Sequence, residues 1–181
     1  MSRTIRRVVV GVDGSANSLA ALRKAAEEAR RHHATLRPVL VYSSPMGDYI
    51  DTLWPPDPRT ARELDRAAYR RLVDSCERVL GGLPADVRCA PAIALGPPAP
   101  LLVQASGEDG DVLVVGGGGH GALHRLLKGS VSRYCLRHCD CPVMVVPPPD
   151  DEISSSSDTA HPSSRTAPTS SPRTRRPRCR R

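Results

Sequence analysis

The chain has 181 residues, with 26 lysines and arginines against 19 aspartates and glutamates and a net charge of +7. That length suits one domain with a real core, and with no phenylalanine and one tryptophan the core must be aliphatic. No run reaches the about 18 consecutive apolar residues of a membrane helix, and Met1-Ser-Arg-Thr-Ile-Arg-Arg lacks the apolar stretch of a signal peptide, so a cytoplasmic protein whose six cysteines are thiols is expected.

In chain order, Ile5 to Val12 is β-branched and alternates little, as a central buried strand does. Asp13-Gly14-Ser15 makes a turn, and Ser15 or Asn17 caps the helix that follows. Leu19, Leu22, Ala26 and Ala29 recur on one face of that helix, and Arg23, Lys24, Glu27, Glu28, Arg30 and Arg31 form a solvated face. Leu36 to Tyr42 is the second strand, although Pro38 means that it either starts later or lacks a partner there. Ser43 to Pro58, with four prolines and Trp54, is a long loop that either folds over a bound base or is a surface excursion.

Thr60-Ala-Arg-Glu63 has the form of a capping box, Leu64, Ala68, Leu72, Cys76 and Val79 make an apolar stripe, and Gly81-Gly82 ends the helix. Val87 to Leu95 reads as a third strand interrupted by Pro91, and a short helix is expected from Ala99 or Pro100. Asp111 to Val115, Ser130 to His138 and Pro142 to Val146 complete a strand, a helix and a strand. Strict alternation of this kind implies a parallel sheet with helices on both faces.

After the fourth strand come Gly116 to Gly119, which free the backbone to turn successive N–H groups toward an anion. Gly129-Ser130 then precedes a helix, whose N-terminus offers unpaired donors and the positive end of its dipole. Gly116-x-Gly118-x-x-Gly121 formally matches the dinucleotide fingerprint, but the acid about 20 positions later, Asp140, precedes the next strand instead of ending it. Lys128-Gly129-Ser130 has its lysine on the wrong side of the glycine for a P-loop. The plain alternative is a glycine-rich turn with no ligand.

The spacing Gly116-x2-Gly119-x9-Gly129-Ser130, with Val8-Val-Val-Gly-Val-Asp-Gly-Ser15 before it and Cys141-Pro-Val-Met-Val-Val146 after it, resembles the nucleotide-binding branch of the universal stress proteins over about residues 3 to 148. The resemblance implies an α/β fold, a single-domain open five-stranded parallel sheet of order 3-2-1-4-5. It implies that Asp13 and the backbone at Val41 face the adenosine of ATP, that Gly116, Gly119, Gly129, Ser130 and Val131 hold its phosphates, and that Mg2+ accompanies them. It also implies a homodimer through the edge strand Val143-Met-Val-Val146 and a small stress-response regulatory role. Many nucleotide-binding members carry serine and arginine between the first two motif glycines, whereas this chain has Gly117 and Gly118. That costs ordering entropy and a cationic side chain.

Two alternatives stand beside ATP binding: a nucleotide-free family member acting as a dimeric interaction module, and a weak ATPase. The chain has no Gly-x-Ser-x-Gly elbow, no metalloprotease motif and no paired-carboxylate site. His120 and His124 flank the glycine run, either adding charge at low pH or standing as exposed turn residues. Cys135, Cys139 and Cys141 with His138 have the donor chemistry of zinc but no second ligand pair at zinc-like spacing. Residues 149–181 are rich in Ser, Pro and Arg and are expected to be a disordered basic tail. Seven arginines against three acids give residues 151–181 a charge of +4. Such a tail either touches nucleic acid or an anionic surface or is simply solvated.

Overall fold

Val8, Val9 and Val10, none of them exposed to solvent, fill the middle of β1 (Arg7–Gly11) and divide the core in two. Val8 and Val10 face one side of the sheet and Val9 the other, because successive side chains of a strand alternate. The structure is a computed structural model and describes residues 4–43, 56–117 and 130–149. Its other strands are β2 (Thr35–Tyr42), β3 (Ala92–Leu95), β4 (Asp111–Gly116) and β5 (Val143–Val146), all parallel in the order β3-β2-β1-β4-β5. Helices α1 (Ala16–His32) and α2 (Pro58–Leu80) cover the Val8 face, packing Leu22, Ala26, Leu72 and Cys76 on it. Helices α3 (Pro98–Ala105) and α4 (Ser130–His138) cover the Val9 face through Leu102 and Cys135.

The two strand prolines are accommodated by the parity of a parallel ladder, in which a residue's N–H and C=O point to the same neighbour. Leu36 bonds toward the β3 side, donating to Arg88 O and accepting from Ala90 N. Pro38 therefore faces the same side, and β2 runs straight through it without a donor there. That gap is why the third strand is shorter than expected: Cys89 makes an isolated bridge to Leu36, and the continuous ladder resumes at Ala92. Ala90 and Gly96 both donate inward, to Leu36 and Tyr42, so Pro91 points its missing N–H away from β2, where it costs nothing.

Local capping meets the sequence expectation at α1 and departs from it at the other two helix starts. Ser15, the first of the two candidates, caps α1 by accepting from Ser18 N. Helix α2 begins two residues before Thr60: Asp57 accepts from Arg59 N and Thr60 N, and Pro58 stands in the first turn, where no N–H is needed. Thr60 is not the cap; its hydroxyl donates to Asp57 at 2.6 Å. Helix α3 starts at Pro98, again with proline in the first turn but with no side-chain cap.

On α1 the buried stripe is Ser18, Ala21, Leu22, Ala25, Ala26, Glu28 and Ala29, so Leu19 lies beside it. Glu28, expected on the solvated face, is buried and sits among Lys24 (3.1 Å), His32 (3.6 Å) and Arg31 (3.9 Å). Its carboxyl is held below the ordinary range, first by the hydrogen bond from Lys24.

At the amino end of the sheet Arg7 locks β1 to β4. Its Nε and Nη2 donate to the two carboxylate oxygens of Asp111 at 2.9 and 2.7 Å, and Nη1 reaches Glu108 at 2.7 Å. The Asp111 side chain is 1% exposed and also accepts from Glu108 N. With ionic and polar closure at this end, the carboxyl end is left as the place where the sheet opens.

Candidate functional site

Chain connections leave β1 and β4 in opposite directions along the sheet, so a crevice forms at their carboxyl ends, as the parallel α/β architecture requires. It is a cleft of about 260 Å3 between the β1–α1 turn, the tip of β4 and the start of α4. Five of the seven residues expected at a nucleotide site line it: Asp13, Val41, Gly116, Ser130 and Val131. Gly119 and Gly129 lie outside the described residues, as do His120, His124, the long loop from 44 to 55 and the tail from 150 onward.

Asp13 is fixed by its own turn. Its Oδ1 accepts from Ser15 N (2.9 Å) and Ser15 Oγ (2.6 Å), while Asp13 N and Gly14 N both donate to Ser18 Oγ (3.3 and 3.1 Å). Burial pushes the carboxyl up, but hydrogen bonds from Ser15 and Ser18 outweigh it and hold the group below its ordinary value, so it is an anion at neutral pH. The turn reaches its tight form through Gly14, at φ 87°.

Val41 presents a backbone edge to the cleft beside its half-buried side chain. The β1–β2 ladder ends where Val12 N donates to Val39 O at 2.8 Å. Two residues further on, the N–H and C=O of Val41 face the same side by parity, past the point where the chain has turned away at Asp13. A planar heterocycle carrying one donor and one acceptor suits such an edge. Val39, Val41 and Leu102 supply an apolar wall beside it.

Gly116 has a packing reason for being glycine. A Cβ there would stand 2.8 Å from both the carbonyl carbon and oxygen of Asn17, so the tip of β4 touches the first turn of α1. Ser132 Oγ donates to Gly116 O at 2.8 Å and ties α4 to the same strand end. These bonds aim the start of α4, with Ser130 exposed on it, at the cleft.

Sequence reasoning missed Gly11, Leu102 and Ser132, and it saw Asn17 merely as a capping candidate. A Cβ on Gly11 would meet Leu102 Cδ1 at 2.8 Å, so this glycine makes room for the residue that closes the wall from α3. Nothing near Leu102 in sequence signals that contact; the pairing follows from β3 being placed at the edge and α3 returning across the sheet. Among the described residues the buried Asn17 Oδ1 has no hydrogen-bond partner, which leaves an acceptor at the cleft wall.

The cysteine group belongs to the core beneath α4. Cys135 and Cys141 are buried, and burial pushes the Cys135 thiol up to about 12. Cys139 is raised as well, mainly by burial, despite Ser106 Oγ at 3.7 Å. His138 is turned to Tyr134, with Nδ1 at 2.8 Å from the Tyr134 carbonyl and the rings stacked at 4.0 Å. Among the described residues no group of three or more His, Cys, Asp or Glu side chains is arranged to hold a metal ion. Nor is any described helix long and apolar enough to cross a membrane.

Comparison with known proteins gives a consistent picture. The family model described as the universal stress protein family matches residues 4–147. A universal stress protein of Mycolicibacterium smegmatis is 36% identical over 151 residues, covering 80% of this chain and 49% of that protein. The chain thus spans about half the length of this relative. A Thermus aquaticus universal stress protein, from the QAH/OAS sulfhydrylase 3′ region, is 32% identical over 149 residues, covering 78% of this chain and 98% of its own. A solved universal stress protein in complex with cAMP aligns with a TM-score of 0.56 at 26% identity, over 79% of this chain and 97% of that one.

Proposed function

The chain belongs to the universal stress protein family, and from that premise we propose that it binds ATP with Mg2+ in the cleft at the ends of β1 and β4, as a small stress-response regulatory protein. The observation that carries this reading is the convergence of Asp13, Val41, Gly116, Ser130 and Val131 on one cleft beside the open backbone edge of Val41. Support also comes from the relative solved with cAMP, an adenine nucleotide.

In this reading the base lies against Val39, Val41 and Leu102, where an apolar wall replaces water and the Val41 backbone supplies polar contacts. The ionised Asp13 accepts from the nucleoside, and its Ser15 and Ser18 bonds keep it in position. The phosphates extend to the start of α4, where Ser130 and the first free N–H groups meet them. Mg2+ travels with the phosphates, since it prefers phosphate oxygens and water to an all-protein cage.

Isothermal titration of the full chain with Mg-ATP tests this, beside Ser130→Val. Saturable binding is expected, at least about tenfold weaker in the variant, which corresponds to about 1.4 kcal/mol. No saturable heat at millimolar ATP would remove the nucleotide and leave the interaction module as the function.

The second part of the proposal is a homodimer through β5. Among the described residues this strand is an edge paired to β4 alone, and its four apolar residues are all half-buried, so it presents there an unpaired backbone row framed by apolar side chains. Sedimentation velocity at micromolar concentration should give a dimer, and Val145→Lys should shift it toward the monomer. A monomeric wild-type chain would refute the edge pairing.

A further inference from the structure

The turn that carries Asp13 borders a second cavity, on the opposite face of the sheet. This space of about 280 Å3 has Gly14 and Leu40 on its inner side and Arg71, Asp74, Ser75 and Arg78 of α2 on its outer side. Leu40 belongs to the core under α1 and α2, whereas the cleft described above is walled by Leu102 from the other core. The two spaces share Asp13 and otherwise have different linings.

The four α2 residues stand at i, i+3, i+4 and i+7 and so share one helix face. Asp74 is three residues from Arg71 and four from Arg78, the spacings at which helical ion pairs form. Among the described residues neither guanidinium has a hydrogen bond or an ion pair, with Asp74 or with anything else. Both arginines are exposed and line the cavity instead. The Ser75 hydroxyl is already donated to Arg71 O at 2.8 Å, and the Asp13 carboxylate is engaged by Ser15, so recognition in this space falls to the arginines with Asp74 as an acceptor.

Arg71 and Arg78 leave α2 two turns apart, about 10.5 Å along the helix axis at the backbone, and both side chains line the same cavity; two guanidinium forks, each with five donors in a plane, match an anion with several phosphate oxygens better than a single carboxylate. We propose that this cavity is a second ligand site, for a small diphosphate or phosphorylated metabolite held between Arg71 and Arg78, with a ligand hydroxyl donating to Asp74. It does not depend on the nucleotide reading of the first cleft.

The test is titration of the full chain with sodium pyrophosphate at low ionic strength, beside Arg71→Gln/Arg78→Gln. Wild type should bind saturably and the double variant at least tenfold more weakly, with its ligand-free thermal midpoint unchanged because both side chains are exposed. The Gly14 amide resonance should move during the wild-type titration. Arg71→Lys, which keeps the charge and loses the fork, should fall between the two. Absence of saturable binding by wild type overturns the proposal, as does equal affinity in the double variant, which would place pyrophosphate at the glycine run or the terminal arginines. Wild type that fails to bind ATP but keeps arginine-dependent pyrophosphate binding sinks the first reading and leaves this one standing.

Discussion

Arg7→Ala is expected to lower the free energy of unfolding by about 3–5 kcal/mol, the cost of leaving a buried carboxylate without its partner. Asp111 is 1% exposed and receives two of its hydrogen bonds from the Arg7 guanidinium. Removing Arg7 strands that charge between β1 and β4, where water does not reach. Urea denaturation at neutral pH reads the loss directly as a lower midpoint with an unchanged slope. The double variant Arg7→Leu/Asp111→Leu removes both charges and should recover much of the loss, since the penalty arises from the uncompensated ion more than from the missing attraction. A single variant within 1 kcal/mol of wild type would mean that Glu108 N and solvent suffice for Asp111. The exposed Arg7–Glu108 contact, with Glu108 73% exposed, adds little by itself.

Gly116→Ala is expected to cost about 1–3 kcal/mol, the usual range for forcing atoms into a packed region, and to weaken ATP binding as well. The new Cβ would lie 2.8 Å from the Asn17 carbonyl group, which is helix backbone and cannot swing aside. The first turn of α1 must shift, and with it Ser18, whose hydroxyl holds the Asp13–Gly14 turn. Thermal unfolding and ATP titration of the same sample separate this from a direct ligand contact: loss of affinity with no loss of stability would assign Gly116 to the phosphate, not to the packing. For this reason Ser130→Val is the cleaner probe of the nucleotide.

Much of the fold could be read along the chain because its signals act within one element. The valine runs of β1 and β4, the stripe of α2 and the glycine that ends it were all visible as local patterns, and the elements lie within about two residues of where they were expected except β3, which starts five residues late. The strand order came from the family resemblance and agrees with the sheet. One departure was a local competition, in which Asp57 with Pro58 outdid Thr60 as a cap; the other was not, because Pro38 interrupts a ladder whose other side lies some fifty residues away.

The amino-acid sequence by itself determined the alternation of strands and helices and the aliphatic core, because periodicity, caps and turns depend on neighbours within a few positions, whereas the candidate residues Asp13 and Val41 came from the family resemblance. Tertiary structure decided the rest: that Glu28 is buried, that Arg7 finds Asp111 across 104 residues, that Gly116 is glycine for the sake of Asn17, and that Leu102 walls the cleft through the space left by Gly11. A buried charge and a close backbone approach are fixed by what another element brings to the same point, and that element's arrival is a property of the packed sheet, not of any stretch of chain.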